Sequence, residues 1–205
     1  MKPCSIYRKA SDIGRFTSNT NDGQFMSSAF FDLFNLFSTP KPSVDRPQIE
    51  IQQSESDTSF EFQIFYAVNQ HRSTLELPLL DCVTKINEIA RQHSQWMCTN
   101  ELWESEACHF NAGDRAAQIQ ELGFGKVAEI IATAQVSKYR YQTFENRKST
   151  ANVILAHWIA STAGHREAIE EQSYTNTGVG IVSREFPDED GDECRLIYVT
   201  QLFTN

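Results

Sequence analysis

The chain has 205 residues, 40% hydrophobic and 22% charged, with a formal net charge of −9 and a pI near 5.0. This balance suits a globular domain and argues against a nucleic-acid partner, because that affinity rests on basic side chains neutralising phosphates. No apolar run reaches the roughly 18 residues of a transmembrane helix, and MKPCSIYRKASDIGRF at the N-terminus has no apolar stretch that reads as a signal peptide.

Residues 1–57 read as an N-terminal extension. The first 28 are rich in Ser, Thr, Asn and Asp and show little periodicity. AFFDLFNLF at 29–37 follows, an apolar run broken only by Asp32 and Asn35, and then the Pro-rich STPKPSVDRPQ. The apolar run is expected to form a short amphipathic helix that packs on the main domain or binds a partner. Membrane anchoring is the weaker reading, since no Lys or Arg flanks the run closely. The extension carries six basic and seven acidic residues and the rest of the chain 12 and 20, so the acidity belongs to residues 58–205.

From Asp57 the pattern firms. Phe60, Ile64, Phe65 and Val68 recur at helical spacing, with N-cap candidates at Asp57 to Ser59, and Pro78 follows the helix as a breaker. Asp81 is expected to open a second helix with Val83, Ile86, Ala90, His93 and Met97 on one stripe. A loop is expected from Thr99 to about Gly113, then a short helix, DRAAQIQELG, ending at Gly123. VAEIIATA at 127–134 reads as a buried strand. Ser149–Ile159 reads as a helix with Ile154, Leu155 and Trp158 inward. Two strands, GVGIVSREF and CRLIYVTQLF, flank PDEDGDE, whose Asp190-Gly191 step suits a turn. Helices first, then a hairpin, with one strand between, argues for an α+β or a layered α/β/α domain.

Five cysteines (Cys4, Cys82, Cys98, Cys108 and Cys194) make an odd number with no CxxC pair. The spacing announces neither a disulfide framework nor a cysteine-held zinc.

Five segments in order carry a resemblance: HFNAGDRAAQIQELGF (109–124), AEIIATAQ (128–135), WIASTAGHREAI (158–169), YTNTGVGI (174–181) and YVTQLF (198–203). Together they resemble the CAP superfamily of cysteine-rich secretory, antigen 5 and pathogenesis-related 1 proteins, also called SCP domains, in its bacterial branch. Two departures stand out. The family's Gly-Glu-Asn triplet is here Ala128-Glu129-Ile130, which keeps only the Glu. The second Glu of the animal and plant branches is here Ser161, as in the bacterial branch. The resemblance implies an α-β-α sandwich with a cleft in which His109, Glu129 and His165 converge, beside Ser161. It also implies an extracellular or cell-envelope location, set against the unrecognised signal, which leaves a cytoplasmic location as the alternative.

Two imidazoles and a carboxylate suit a divalent transition metal such as zinc, with His109 and His165 as candidate ligands and water completing the shell. The same trio could do acid–base work as candidate catalytic residues. The favoured expectation is a binding module for a peptide, glycan or lipid, or for a metal, without turnover. The alternative is a metal-assisted hydrolase of peptide or cell-envelope substrates in which Glu129 activates water. Ser161, four residues before His165, has no GxSxG elbow around it. Cys108 beside His109 is a weaker nucleophile candidate. His71, His93 and His157 read as structural or solvated, and PDEDGDE lacks the ligand spacing of an EF-hand.

Overall fold

The computed structural model describes residues 54–102, 106–187, 191 and 193–205. The expected helix at 29–37 and its Pro-rich linker lie outside the described residues.

Helix α1 spans Glu55–Thr74. Its N-cap is Ser54, whose hydroxyl accepts the N–H of Asp57 at 3.1 Å, a contact worth about 1 kcal/mol. This corrects the expected cap at 57–59. Asp57 is instead inside the helix and buried. There it accepts hydrogen bonds from Ser183 at 2.6 Å and from the Tyr141 hydroxyl. The sequence pattern could not show this, because an Asp facing the core looks like any cap residue until its partners are known.

Asp81–Cys82 forms strand β1, not a helix start. Asp81 pairs in parallel with Asn176, and the helix α2, Thr84–Thr99, begins only after Val83. The expected loop at 99–113 contains a 3-10 turn, Glu106–His109, and α3 starts inside it at Ala112 and runs to Glu121. Strand β2 covers Val127–Ser137. The short α4, Lys138–Gln142, leads into α5, Phe144–Ala160, which begins five residues earlier than its periodicity suggested. A six-residue α6, His165–Glu170, precedes β3, Asn176–Pro187, and β4, Glu193–Thr204.

The sheet order is β1-β3-β4-β2. β1 runs parallel to β3, and the other pairs are antiparallel. β2 is therefore an edge strand and mostly half-buried, where a buried strand was expected. Side chains alternate along β4. Ile197, Val199 and Phe203 join Phe60, Ile64 and Val68 of α1 with Ile154 and Trp158 of α5 on one face. Leu196 and Tyr198 join Met97 and Cys98, and Leu202 joins Ile86, Ile89 and Ala90, on the α2 face. Both faces are covered, which makes the three-layer α-β-α sandwich.

Two glycines set the spacing between α2 and the sheet. A Cβ on Gly178 would stand 2.4 Å from the Ile86 carbonyl carbon, and one on Gly180 2.0 Å from the Arg91 nitrogen. The helix backbone thus rests directly on β3, a close approach that only glycine permits. Buried charges fasten the remaining corners. Arg91 grips Glu61 at 2.8 and 2.7 Å, and Glu61 also accepts the Ile181 N–H at 3.0 Å. Arg72, wholly buried, donates to the carbonyls of Pro78, Ile169, Glu171 and Tyr174. It ties the end of α1 to the end of α6.

Candidate functional site

Glu129 sits on β2 opposite Leu202. Alternation sends its neighbour Ile130 into the α1–α5 core and turns Ile131 toward the α2 side. Glu129 shares that second face. His109 closes the 3-10 turn, and Asn111 at φ 58° reverses the chain into α3. That reversal carries Arg115, one turn along α3, back to the strand. Its Nε and Nη2 donate to the two carboxylate oxygens of Glu129 at 2.5 and 2.7 Å, and its Nη1 donates to the Phe110 carbonyl at 2.7 Å. His109 Nδ1 lies 3.0 Å from the same carboxylate.

Glu129 is 8% exposed and Arg115 10%. Burial pushes the Glu129 carboxyl up, but the hydrogen bonds from His109 and Arg115 and the guanidinium charge outweigh burial and hold it at about 2. An ionised carboxylate only accepts, so His109 donates from Nδ1, and in the neutral ring Nε2 carries the lone pair.

His165 is placed by two backbone devices. Trp158, 1% exposed, donates its indole N–H to the Ile131 carbonyl of β2 at 2.9 Å and pins the end of α5 to the edge strand. Ser161 then caps α5, and Gly164 at φ 87° turns the chain so that His165 begins α6. The Ser161 hydroxyl lies 3.0 Å from His165 Nδ1 and accepts the Ala163 N–H at 3.1 Å. Burial lowers the His165 pKa to about 4, and repulsion from His109 and His157 adds to that. His165 is therefore a neutral imidazole near pH 7. Its Nδ1 meets the Ser161 hydroxyl, and the influence of His109 on it is electrostatic.

The other candidates fall elsewhere. Cys108 is wholly buried against Met97 and Tyr198, in an apolar cluster. His71 pairs with Glu170 at 2.9 Å. Cys82, Cys98, Cys108 and Cys194 are thiols. Among the described residues, no group of three or more His, Cys, Asp and Glu side chains is arranged to hold a metal ion. No helix among them is long and apolar enough to cross a membrane. Sequence reasoning gave Arg115 no role. The available signal was a Glu amid the apolar residues of a strand, a position that demands a buried counter-charge.

Residues 65–203 match the sequence profile of the cysteine-rich secretory protein family, CAP. The chain belongs to this family. Among solved structures, an extracellular SCP-domain protein from Bacillus anthracis matches the CAP domain at 26% identity and a TM-score of 0.50, covering 73% of this chain and 41% of its own length. An outer surface protein from Borrelia burgdorferi matches at 14% identity and a TM-score of 0.49, covering 76% and 98%. A cysteine-rich secretory protein from Staphylococcus aureus matches at 15% and 0.46, covering 74% and 40%. The chain thus spans less than half the length of the Bacillus protein. No functionally curated protein matches it.

Proposed function

We propose that this CAP domain is a binding module of bacterial type, acting outside the cell. His109 and His165 present imidazole edges to a ligand, and Glu129 anchors His109 without acting as a base. The observation that carries this reading is the double grip of Arg115 on Glu129. A carboxylate held at about 2 is a poor proton acceptor near neutrality, where an efficient general base titrates close to the working pH. The extracellular assignment draws on the Bacillus relative, which is described as an extracellular protein.

A divalent transition-metal ion such as zinc suits the donor set. Nδ1 of each imidazole is engaged, by Glu129 in one case and Ser161 in the other. This supports ligation through the two Nε2 atoms, in the manner of metal-binding histidines oriented by an outer partner. Both oxygens of Glu129 are already engaged by Arg115, so the two imidazoles are the protein's ligands and affinity is modest. A bound ion would polarise an oxygen of the peptide, glycan or lipid that the site holds. Because His165 resists protonation down to about 4, it keeps its lone pair through the mildly acidic range in which an ordinary histidine loses it.

The Ser161–His165 contact has the outline of a nucleophile and its base. A histidine held at about 4 is a weak base for that task, and Ser161 already serves as a cap.

Calorimetric titration of zinc into the wild type and His165→Ala tests the proposal, alongside a cleavage screen and a fluorophosphonate serine probe. Binding by the wild type alone, with no cleavage and no labelling, is the expected result. Equal heats from both proteins, cleavage abolished by Glu129→Ala, or labelling at Ser161 would each overturn it.

A further inference from the structure

A cavity lies between α2 and α3, with Arg115 in its wall. Its volume is about 190 Å³, enough for one small ring. Trp96 and Phe110 stack in its wall with centroids 5.3 Å apart and planes 18° from parallel. Gln92, Asn111, Asp114 and Gln118 supply polar groups, and His93 lines it as well.

His93 is 3% exposed, and its Nε2 has no hydrogen-bond partner among the described residues. Its protonation follows from the hydroxyl chain behind it. Ser94 has a single proton and gives it to the Gly180 carbonyl at 2.8 Å, an atom that can only accept. In its 2.9 Å contact with Thr200, Ser94 must therefore accept, and that uses the Thr200 proton. Thr200 then has only a lone pair for His93 Nδ1, 3.3 Å away, so Nδ1 carries the hydrogen. Nε2 is left as a bare acceptor in a buried ring on the cavity wall. An unpaired buried acceptor is unfavourable, and a ligand bringing an O–H or N–H would relieve it.

The rest of the wall narrows the chemistry. The guanidinium of Arg115 is committed to Glu129 and Phe110, so no cation in the wall is left for an anion, and Asp114 repels one. The carboxylate and amides disfavour an acyl chain. Stacked aromatic rings beside amides, a carboxylate and a lone acceptor suit a flat, uncharged ring edged with hydroxyls. We infer that this cavity binds a single sugar residue of a glycan, its face against Trp96 and a hydroxyl donating to His93 Nε2. The lining shares Arg115 with the Glu129 pair but does not include His109, Glu129 or His165, so the sugar tests and the zinc titration read different groups.

Saturation-transfer NMR with the methyl glycosides of N-acetylglucosamine, glucose, galactose and mannose tests this on the full chain. One of the four is expected to give saturable transfer that weakens at least tenfold in Trp96→Ala. Gln118→Trp, a change at an exposed position that fills the cavity, should abolish the transfer without lowering the melting temperature. A two-bond 1H–15N spectrum should show His93 protonated at Nδ1, with the Nε2 resonance moving when sugar is added. No saturable transfer from any glycoside, transfer unchanged by Gln118→Trp in a folded protein, or a proton on Nε2 would each overturn the inference.

Discussion

Replacing Arg115 with Met keeps the aliphatic stem and removes the guanidinium. Glu129, 8% exposed in the wild type, would then keep His109 as a hydrogen-bond donor. Holding its carboxyl at about 2 rather than its ordinary 4.5 corresponds to about 3 kcal/mol of native-state stabilisation. Breaking a buried pair by deleting one member costs about 3–5 kcal/mol, because the other charge is stranded. Arg115→Met should therefore lose about 3 kcal/mol in urea unfolding at pH 7. The pH dependence has a fixed sign. A depressed carboxyl stabilises above its unfolded value and loses that contribution as pH falls toward about 2, so the deficit of Arg115→Met should shrink between pH 4.5 and 2. Adding Glu129→Gln removes the stranded charge and should restore part of the loss at pH 7. A loss below about 1 kcal/mol, or a double variant no more stable than Arg115→Met, would refute the buried-pair reasoning.

Gly180→Ala should destabilise the fold by about 1–3 kcal/mol or more. The new methyl would meet Arg91 and Ala90 backbone atoms at 2.0 and 2.2 Å, and backbone cannot rotate away. Gly113→Ala, inside α3 with nothing within 4 Å of the new methyl, should be neutral or gain up to about 1 kcal/mol; paired thermal melts compare the two. His165, resolved by 1H–15N NMR, should titrate near 4. Between about pH 6.5 and 4 the unfolded chain then binds a proton that the native state refuses, so stability falls as pH drops across that window. His165→Gln should flatten that slope, and an unchanged slope would refute the assignment.

Much of the domain was legible because its signals are local. Helical spacing at Phe60, Ile64 and Val68 and the apolar run around Ile130 each arise within one element; the expected turn at Asp190-Gly191 lies largely outside the described residues. The misreadings arose where a distant partner decides the outcome. Asp57 looked like a cap and is a buried acceptor for Tyr141 and Ser183, which are 84 and 126 residues away. Asp81 looked like a helix start and pairs instead with a strand near the other end of the chain. The site divides in the same way. Motif order nominated His109, Glu129 and His165 as candidates, whereas the contact of Arg115 with Glu129 appears only when α3 is laid against β2. His93 sat correctly on the core stripe of its helix. Its orphaned nitrogen emerges only from the hydroxyl chain through Ser94 and Thr200.

The central claim is that Glu129 anchors the site and does not serve as its base. A carboxyl-detected 13C NMR titration of Glu129 tests it most directly. The account predicts a carboxylate that stays ionised on acidification to pH 3 and titrates near 2. A midpoint between pH 6 and 7, where a water-activating base would be poised, would contradict it.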